Sequence, residues 1–314
     1  MTGTPPDPRA AALRARLQKN LKRLRPWAER EGVSCVRAYD RDIPEVPLVV
    51  DVYPSGGERH AHVSVFEPRH GVAAEVVEPW LVACAEVLQL PRAHLHVKRR
   101  AQGAGYERVA ERGERLLVDE GGLRFWVNLT DYVDTGLFLD HRRTRARVRA
   151  EAAGKRFLNL FSYTGAFTVY AAAGGAASSL SLDLSHAYCS WAQDNLRLNE
   201  LLRDEHRVQE VDVLAWLEAP AGAPSFDLAV LDPPTVSTSK RAKRSLDVQV
   251  DHPWLIARTI ERLVSGGVLY FSTNLQRFTL GAVSASSVVE VTDETLSPDF
   301  SRRPPIHRCW RIVK

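Results

Sequence analysis

The sequence predicts an α/β protein: a doubly wound, largely parallel sheet flanked by helices, preceded by a small α+β domain. Three observations predict it. From residue 140 onward, short apolar runs alternate with segments of helical length. Those runs, among them RFLNLF, FDLAVLD and GGVLYFST, are nearly continuous in apolar residues, as strands covered on both faces must be. Before residue 130, several short β-like runs follow one another with Pro and Gly between them. A chain of 314 residues exceeds one typical compact unit, so two domains are expected, 1–130 and 131–314.

Taken in order, residues 1–8 read as a frayed, proline-rich start. Leu13, Leu17, Leu21 and Leu24 recur at spacings of four and three, which predicts an amphipathic helix over Arg9–Glu31. Gly32 follows as its C-terminal cap. The runs SCVRAYD, PLVVDVY and HAHVSVF predict strands, a helix spans about Glu75–Leu90, and HLHVKRR, RLLVDE and LRFWVNL complete the first domain. The second domain then reads as a helix over Arg142–Ala153, the strand RFLNLF, a helix over Gly165–Ala173, the strand SSLSLDL and a helix over His186–Asn199. The strand HRVQEV, a short helix over Val213–Glu218, the strand FDLAVLD, a long helix over Asp247–Leu263 and the strand GGVLYFST come next. SVVEVTD and HRCWRIV bring the strand count to seven and are expected to close the sheet as an antiparallel hairpin.

Composition narrows the class. Apolar residues make up 45% and charged residues 25%, the balance of a folded globular protein. No stretch approaches the ~20 apolar residues a bilayer span needs, and the start has no apolar leader segment. Cys35, Cys84, Cys189 and Cys309 stand far apart without a CxxC pair, so neither a disulfide framework nor a metal site is expected. These features fit a cytoplasmic location and no membrane association. The net charge is only +4, but basic residues cluster. Arg14, Arg16, Lys19, Lys22, Arg23 and Arg25 form one group. Arg142, Arg143, Arg145, Arg147 and Arg149 form a second, Lys240, Arg241, Lys243 and Arg244 a third, and the tail from Arg302 to Lys314 a fourth. Such clusters are the footprint of a polyanionic partner or, individually, solvated helix faces.

In a doubly wound sheet, ligands lie beyond the carboxyl ends of the strands. After the first strand of the second domain comes Asn159-Leu160-Phe161-Ser162-Tyr163-Thr164-Gly165, where glycine permits close backbone approach and a helix begins. The dinucleotide fingerprint GxGxxG is missing there, which counts against NAD or FAD. Asp183 ends the second strand, followed by Leu184 and Ser185; its carboxylate can accept both hydroxyls of a ribose, or cap a helix. Asp212, before Val213, stands to receive an exocyclic amine or to cap the next helix. Asp232-Pro233-Pro234-Thr235 ends the fourth strand in a turn that two prolines stiffen.

The series NLFSYTG, SLDLS, VDVLAWL and VLDPPT resembles the motif set of class I S-adenosylmethionine-dependent methyltransferases. DYVDTGLFLDHRRTR, LDPPTVSTSKR, GGVLYFSTNLQRF and IHRCWRI, together with LQKNLKRLRPWAEREGVSCVRAYDRDIPE near the start, are similar to the guanine-N7 half of the bacterial bifunctional 23S rRNA guanine methyltransferases. The likeness covers nearly the whole chain. The other half of the fused enzymes, with its THUMP module and N2-methylating domain, is absent, and the segment Gln276–Ser287 is short against the family. The resemblance implies a Rossmann-like sheet and S-adenosylmethionine as cofactor. It implies cofactor contacts from Phe138, Asp140, Arg142, Asn159, Phe161, Tyr163, Thr164, Gly165, Asp183, Leu184, Ser185, Asp212, Val213 and Asp232. Arg142 would meet the methionine carboxylate of the cofactor.

The same resemblance implies catalysis at Asp232, Pro233, Pro234 and Thr235, on 23S rRNA or a large-subunit precursor particle. Related enzymes that methylate cytosine C5 need a cysteine nucleophile after the fifth strand. Ser272-Thr273-Asn274 stands there instead, while Cys189 and Cys309 read as core residues. Enzymes for exocyclic amines carry an aromatic residue after the two prolines, where this chain has Thr235. Guanine N7 already holds a lone pair and needs alignment rather than a base. Arg14, Lys19, Lys22, Arg23, Lys240, Arg241, Lys243 and Arg244 are expected to contact RNA phosphates. Phe138, Tyr163 and Trp310 are candidates for stacking on the base, and His141 reads as structural.

Overall fold

The computed structural model describes residues 7–66, 73–100, 113–223, 225–237 and 244–314. The chain packs as two compact units, Met1–Leu139 and Asp140–Lys314.

The first unit opens with α1 (Pro8–Glu31). Asp7 caps it by accepting the Arg9 amide at 2.9 Å, Pro8 fills the first turn, and Gly32 ends it at φ 61°. Strands β1 (Val36–Asp40), β2 (Leu48–Ser55) and β3 (Glu58–Phe66) run antiparallel in sequence. After α2 (Ala74–Leu88), strand β4 (Leu95–Arg100) pairs parallel to β3. Leu13 and Leu17 of α1 and Trp80 of α2 pack on Val50, Ala61, Val63 and Leu95 from one face of this sheet. A hairpin of β5 (Leu116–Glu120) and β6 (Leu123–Val127) follows. Beyond it, the Asn128 amide donates to the Thr135 carbonyl at 2.9 Å, and the Tyr53 hydroxyl meets Thr135 Oγ1 at 3.0 Å. These bonds tie residues 128–135 to the first unit, so the division falls after Leu139 instead of after Thr130.

The second unit contains α3 (Arg142–Glu151), β7 (Arg156–Leu160), α4 (Ala166–Ala173), β8 (Ser178–Asp183), α5 (His186–Leu198) and β9 (His206–Glu210). Then come α6 (Val213–Glu218), β10 (Phe226–Leu231), the two-residue strands β11 (Val236–Ser237) and β12 (Leu246–Asp247), α7 (Val248–Glu261) and β13 (Leu263–Thr273). The chain ends with β14 (Ser287–Glu290), α8 (Thr292–Thr295) and β15 (Arg308–Val313). The sheet order is β14-β15-β13-β10-β7-β8-β9. Its strands from β13 to β9 pair parallel, and β15 pairs antiparallel to both β13 and β14. The seven strands and the antiparallel end are those expected. Three details differ: SVVEVTD leaves the sheet after Glu290 for a helical turn, α7 stops two residues early, and the β11–β12 ribbon is too short to read by periodicity.

Alternation along the strands splits the core. Leu158, Leu160, Ala229, Leu231, Leu269 and Phe271 face Leu214, Leu217, Leu255 and Ile256 of α6 and α7. Phe157, Leu228, Val230 and Tyr270 face Val148 of α3 and Phe167 and Ala171 of α4. The strand order reverses direction between β7 and β10, and at such a switch point ligands lie beyond the carboxyl ends of the strands.

In two of the four basic clusters, several arginines are paired with acids of this chain or buried, which corrects their reading as wholly polyanion-facing surface. In α3, Arg142 pairs with Asp299 at 3.2 Å and Arg147 with Glu294 at 2.6 Å, while Arg145 is buried near the rings of Phe167 and Tyr170. In the tail, Arg303 pairs with Asp293, Arg308 with Glu290 and Arg311 with Glu151. Their acids lie elsewhere in the sequence, so a local count of charge overstates the free cationic surface.

The end of α4 presses against the end of α3 at Gly174. A Cβ there would lie 2.2 Å from the Arg149 carbonyl oxygen, a backbone atom that cannot swing away. Gly174→Ala is therefore expected to force the two helices apart and cost about 1–3 kcal/mol. Urea unfolding of the variant beside the parent checks it.

Candidate active site

The carboxyl edge of the sheet brings together three of the predicted segments. The loop after β7 holds two non-glycine residues at positive φ, Phe161 at 58° and Tyr163 at 49°. Such backbone is costly and clusters at functional loops. Gly165 also has positive φ, 74°, but its lack of a side chain serves packing: a Cβ would sit 2.7 Å from Ala192 Cβ of α5. The expected close approach is therefore made to a neighbouring helix. Asn159 is buried and donates to Thr168 Oγ1 at 2.9 Å, and Thr168 meets Ser181 Oγ at 2.6 Å, so this amide braces β7 and β8. Asn195 donates to the Thr164 carbonyl at 2.9 Å and fixes the loop from the other side.

Asp183 joins the loop to the end of β8. Its Oδ2 accepts the Tyr163 amide and its Oδ1 the Ser185 amide, each at 2.9 Å. Burial pushes its carboxyl above the usual range, while the backbone amides of Ser185, Tyr163 and Leu184 oppose that shift. Ser185 caps α5 by accepting the Tyr188 amide, which leaves Asp183 out of the capping role. Asp212 does cap: its Oδ1 accepts the amides of Leu214 and Ala215 at 3.0 and 3.4 Å, and Val213 behind it is buried.

Asp232 ends β10 with its side chain a quarter exposed. Ser272 Oγ of β13 donates to its Oδ1 at 2.6 Å, and His141 Nε2 lies 3.5 Å from its Oδ2. Pro233 is buried, Pro234 is half-buried, and the Thr235 hydroxyl donates to Asn274 Oδ1. His141 stacks on His307 with ring centroids 4.3 Å apart and planes 9° apart. His307 in turn meets Asp140 Oδ2 at 2.8 Å and Thr295 Oγ1 at 3.1 Å. Burial lowers the proton affinity of His141, with the Asp232 and Asp140 carboxylates opposing and His307 and Arg145 adding to the effect. A neutral His141 leaves the charge of Asp232 uncancelled. Sequence reasoning missed His307, Ser272, Asn274, Ser297 and Asp299 as parts of this edge. Arg142 Nη1 bonds both Ser297, at 3.0 Å, and Asp299, so its guanidinium already holds a carboxylate of this chain. Phe138 belongs to the first unit.

Residues 83–295 match a family described as S-adenosylmethionine-dependent methyltransferase. The chain belongs to this family. It is 48% identical over 306 residues to the ribosomal RNA large subunit methyltransferase K/L of Stutzerimonas stutzeri, covering 95% of this chain and 41% of that protein. It is 44% identical over 307 residues to the ribosomal RNA large subunit methyltransferase K of Neisseria meningitidis serogroup B, covering 95% and 85%. The chain thus spans about two fifths of the K/L relative, and most of the K relative. Among solved structures, a methyltransferase complexed with SAH has the same fold at TM-score 0.78 and 22% identity, covering 97% of this chain and 82% of that one. The S-adenosylmethionine-dependent methyltransferase of Agrobacterium tumefaciens matches at TM-score 0.60 and 16% identity, covering 85% and 87%.

The protein is a methyltransferase whose methyl donor is S-adenosylmethionine, and the edge described above suits that donor. A carboxylate offers about four lone-pair positions, and the backbone amides around Asp183 do not fill them all. Hydrogen bonds to a charged group contribute about 1.5–3 kcal/mol, so Asp183→Asn is expected to weaken S-adenosylmethionine binding by about 10- to 100-fold in a calorimetric titration. The sign of the pH dependence follows from the raised carboxyl. Asp183 takes up a proton at higher pH than an ordinary aspartate, so affinity is expected to fall early on acidification, and the Asn variant to lose that dependence.

Proposed function

We propose that the protein methylates guanine N7 in 23S rRNA, without a covalent cysteine intermediate. The observation that carries this reading is the Asp232-Pro233-Pro234-Thr235 turn, which presents a partly open carboxylate and a hydroxyl and no aromatic ring. The curated relatives named as large-subunit rRNA methyltransferases support the RNA class, and the resemblance to the N7 half of the fused enzymes supports the base. The substrate is 23S rRNA or a large-subunit precursor particle.

S-adenosylmethionine supplies an electrophilic methyl group on a sulfonium. Asp183 would accept the ribose hydroxyls, with Phe161, Tyr163 and Thr164 lining the approach and Leu184, Ser185, Asp212 and Val213 framing the adenosine end. Asp140 is committed to His307, and Arg142 to Asp299; both then act by fixing the edge rather than by gripping the methionine. The N7 lone pair attacks directly, so the protein needs to hold it in line; orientation alone contributes about 7–11 kcal/mol in favourable systems. The base gains positive charge as it is methylated. Asp232, held by Ser272 and beside a neutral His141, is positioned to stabilise that charge.

The cysteines support the same chemistry. All four are buried. Burial pushes the Cys189 thiol up to about 12, and pushes Cys309 well above the ordinary thiol range. A C5 route needs a thiolate at the base. Replacing all four cysteines with Ala is expected to preserve methyl transfer in a tritium-transfer assay if the variant folds. Mapping modified nucleosides in 23S rRNA with and without the gene tests the base: loss of one 7-methylguanosine supports the reading, and loss of an N2-methylguanosine or 5-methylcytosine instead overturns it.

RNA contact is assigned most strongly to α1, where Lys19, Lys22 and Arg23 are exposed on neighbouring turns. Arg14 is paired with Glu86. Lys240, Arg241 and Lys243 lie outside the described residues, and Arg244 reaches Glu218 and Asp251 while resting over Trp254. Trp310 is packed among Phe271, Phe278 and Arg308, which removes it as a base-stacking group. Changing Lys19, Lys22 and Arg23 to Gln is expected to lower the slope of log affinity against log salt by about 2–3, at 0.7–0.9 per lost phosphate contact. Filter binding across a salt series measures it.

A further inference from the structure

The first unit carries a histidine cluster that the methyl-transfer reading does not use. His60 and His62 lie on β3, and His94 and His96 lie at and just beyond the 3-10 turn that leads into β4. The strands pair parallel with Ala61 opposite Leu95 and His62 opposite His96. Ala61 and Leu95 enter the core. With a side-chain period of two, both His-x-His segments then project from the opposite face of the sheet. Glu58, two residues before His60, completes the group.

The geometry is that of a ligand set. Ligand atoms of Glu58, His60 and His94 all lie within 4.8 Å of one another. Glu58 Oε2 is 3.7 Å from His94 Nε2, and the His60 and His94 ring centroids are 4.3 Å apart. Around a tetrahedral zinc with bonds of about 2.0–2.1 Å, neighbouring donors are about 3.3 Å apart, so the two rings, stacked here with planes 26° apart, must turn toward each other to close on an ion. His94 Nδ1 lies 3.2 Å from the Arg59 carbonyl oxygen, which only accepts, so that nitrogen carries the proton. The other ring nitrogen, Nε2, faces the Glu58 carboxylate. A backbone carbonyl on the far nitrogen is also the support that metal-bound histidines have. His96 Nε2 stands 3.4 Å from His60 Nδ1 and steadies the second ring. Glu58 is exposed and His94 partly exposed, so an ion can enter from solvent.

We infer that Glu58, His60 and His94 form a binding site for a borderline divalent transition-metal ion such as Zn(II), which clips the start of β3 to the start of β4. Imidazole with carboxylate suits such ions better than Mg(II) or Ca(II). The site is independent of the methyltransferase crevice, and its failure would leave that reading untouched.

The test uses the full chain stripped with EDTA. Co(II) is the spectroscopic probe, with Zn(II) added in competition. One equivalent is expected to give the visible absorption of a tetrahedral or five-coordinate Co(II), displaced by Zn(II), and Zn(II) should raise the thermal midpoint. His94→Ala and Glu58→Gln, both at accessible positions, are expected to weaken binding by at least about tenfold. His60→Ala should do the same where circular dichroism shows it folded. No saturable binding would overturn the proposal. So would one equivalent whose affinity is unchanged in His94→Ala, since the ion would then sit elsewhere, as at the Asp140, His141 and His307 group.

Discussion

Everything at the active edge depends on the parallel pairing of β7 with β8 on one side and β10 on the other. In register, Leu160 stands beside Leu182 and Leu231, so the next residues of all three strands emerge together. Those are the strained loop from Phe161, the carboxylate of Asp183 and the carboxylate of Asp232. A one-residue slip would turn Asp183 and Asp232 away from the crevice and bring buried leucines to it. The apolar faces on both sides of the sheet hold the register, and the site inherits its geometry from them.

The C-terminal strand adds a second constraint. By inserting between β13 and β14, β15 places His307 under His141 and beside Asp140, and the turn before it supplies Asp299 to Arg142. Five side chains from the entry to α3 and from the last twenty residues thereby lock together behind Asp232. This explains why a methyltransferase of this build keeps its final segment buried: Cys309, Trp310 and Ile312 are core residues.

The fold was legible because buried parallel strands write themselves as apolar runs, and helices as leucines at three- and four-residue spacing. The positions of the acids at strand ends followed from the same strand reading, which could not tell Asp212, a helix cap, from Asp183 and Asp232. What could not be read was pairing across distance. Asp140 and His307 are 167 residues apart in sequence, and nothing near either one announces the other. The same blindness inflated the basic clusters, whose acids sit on remote segments. It also hid the histidines of β3 and β4, which become neighbours only when the strands pair.

In the proposed mechanism Asp183 holds the ribose of the donor while Asp232 faces the acceptor base. A crystal structure with bound S-adenosylhomocysteine tests it most directly. Ribose hydroxyls are expected within about 2.5–3.0 Å of the Asp183 oxygens, with the sulfur facing the Asp232-Pro233-Pro234-Thr235 turn. A ligand seated elsewhere, with Asp183 touching only its backbone amides, would contradict it.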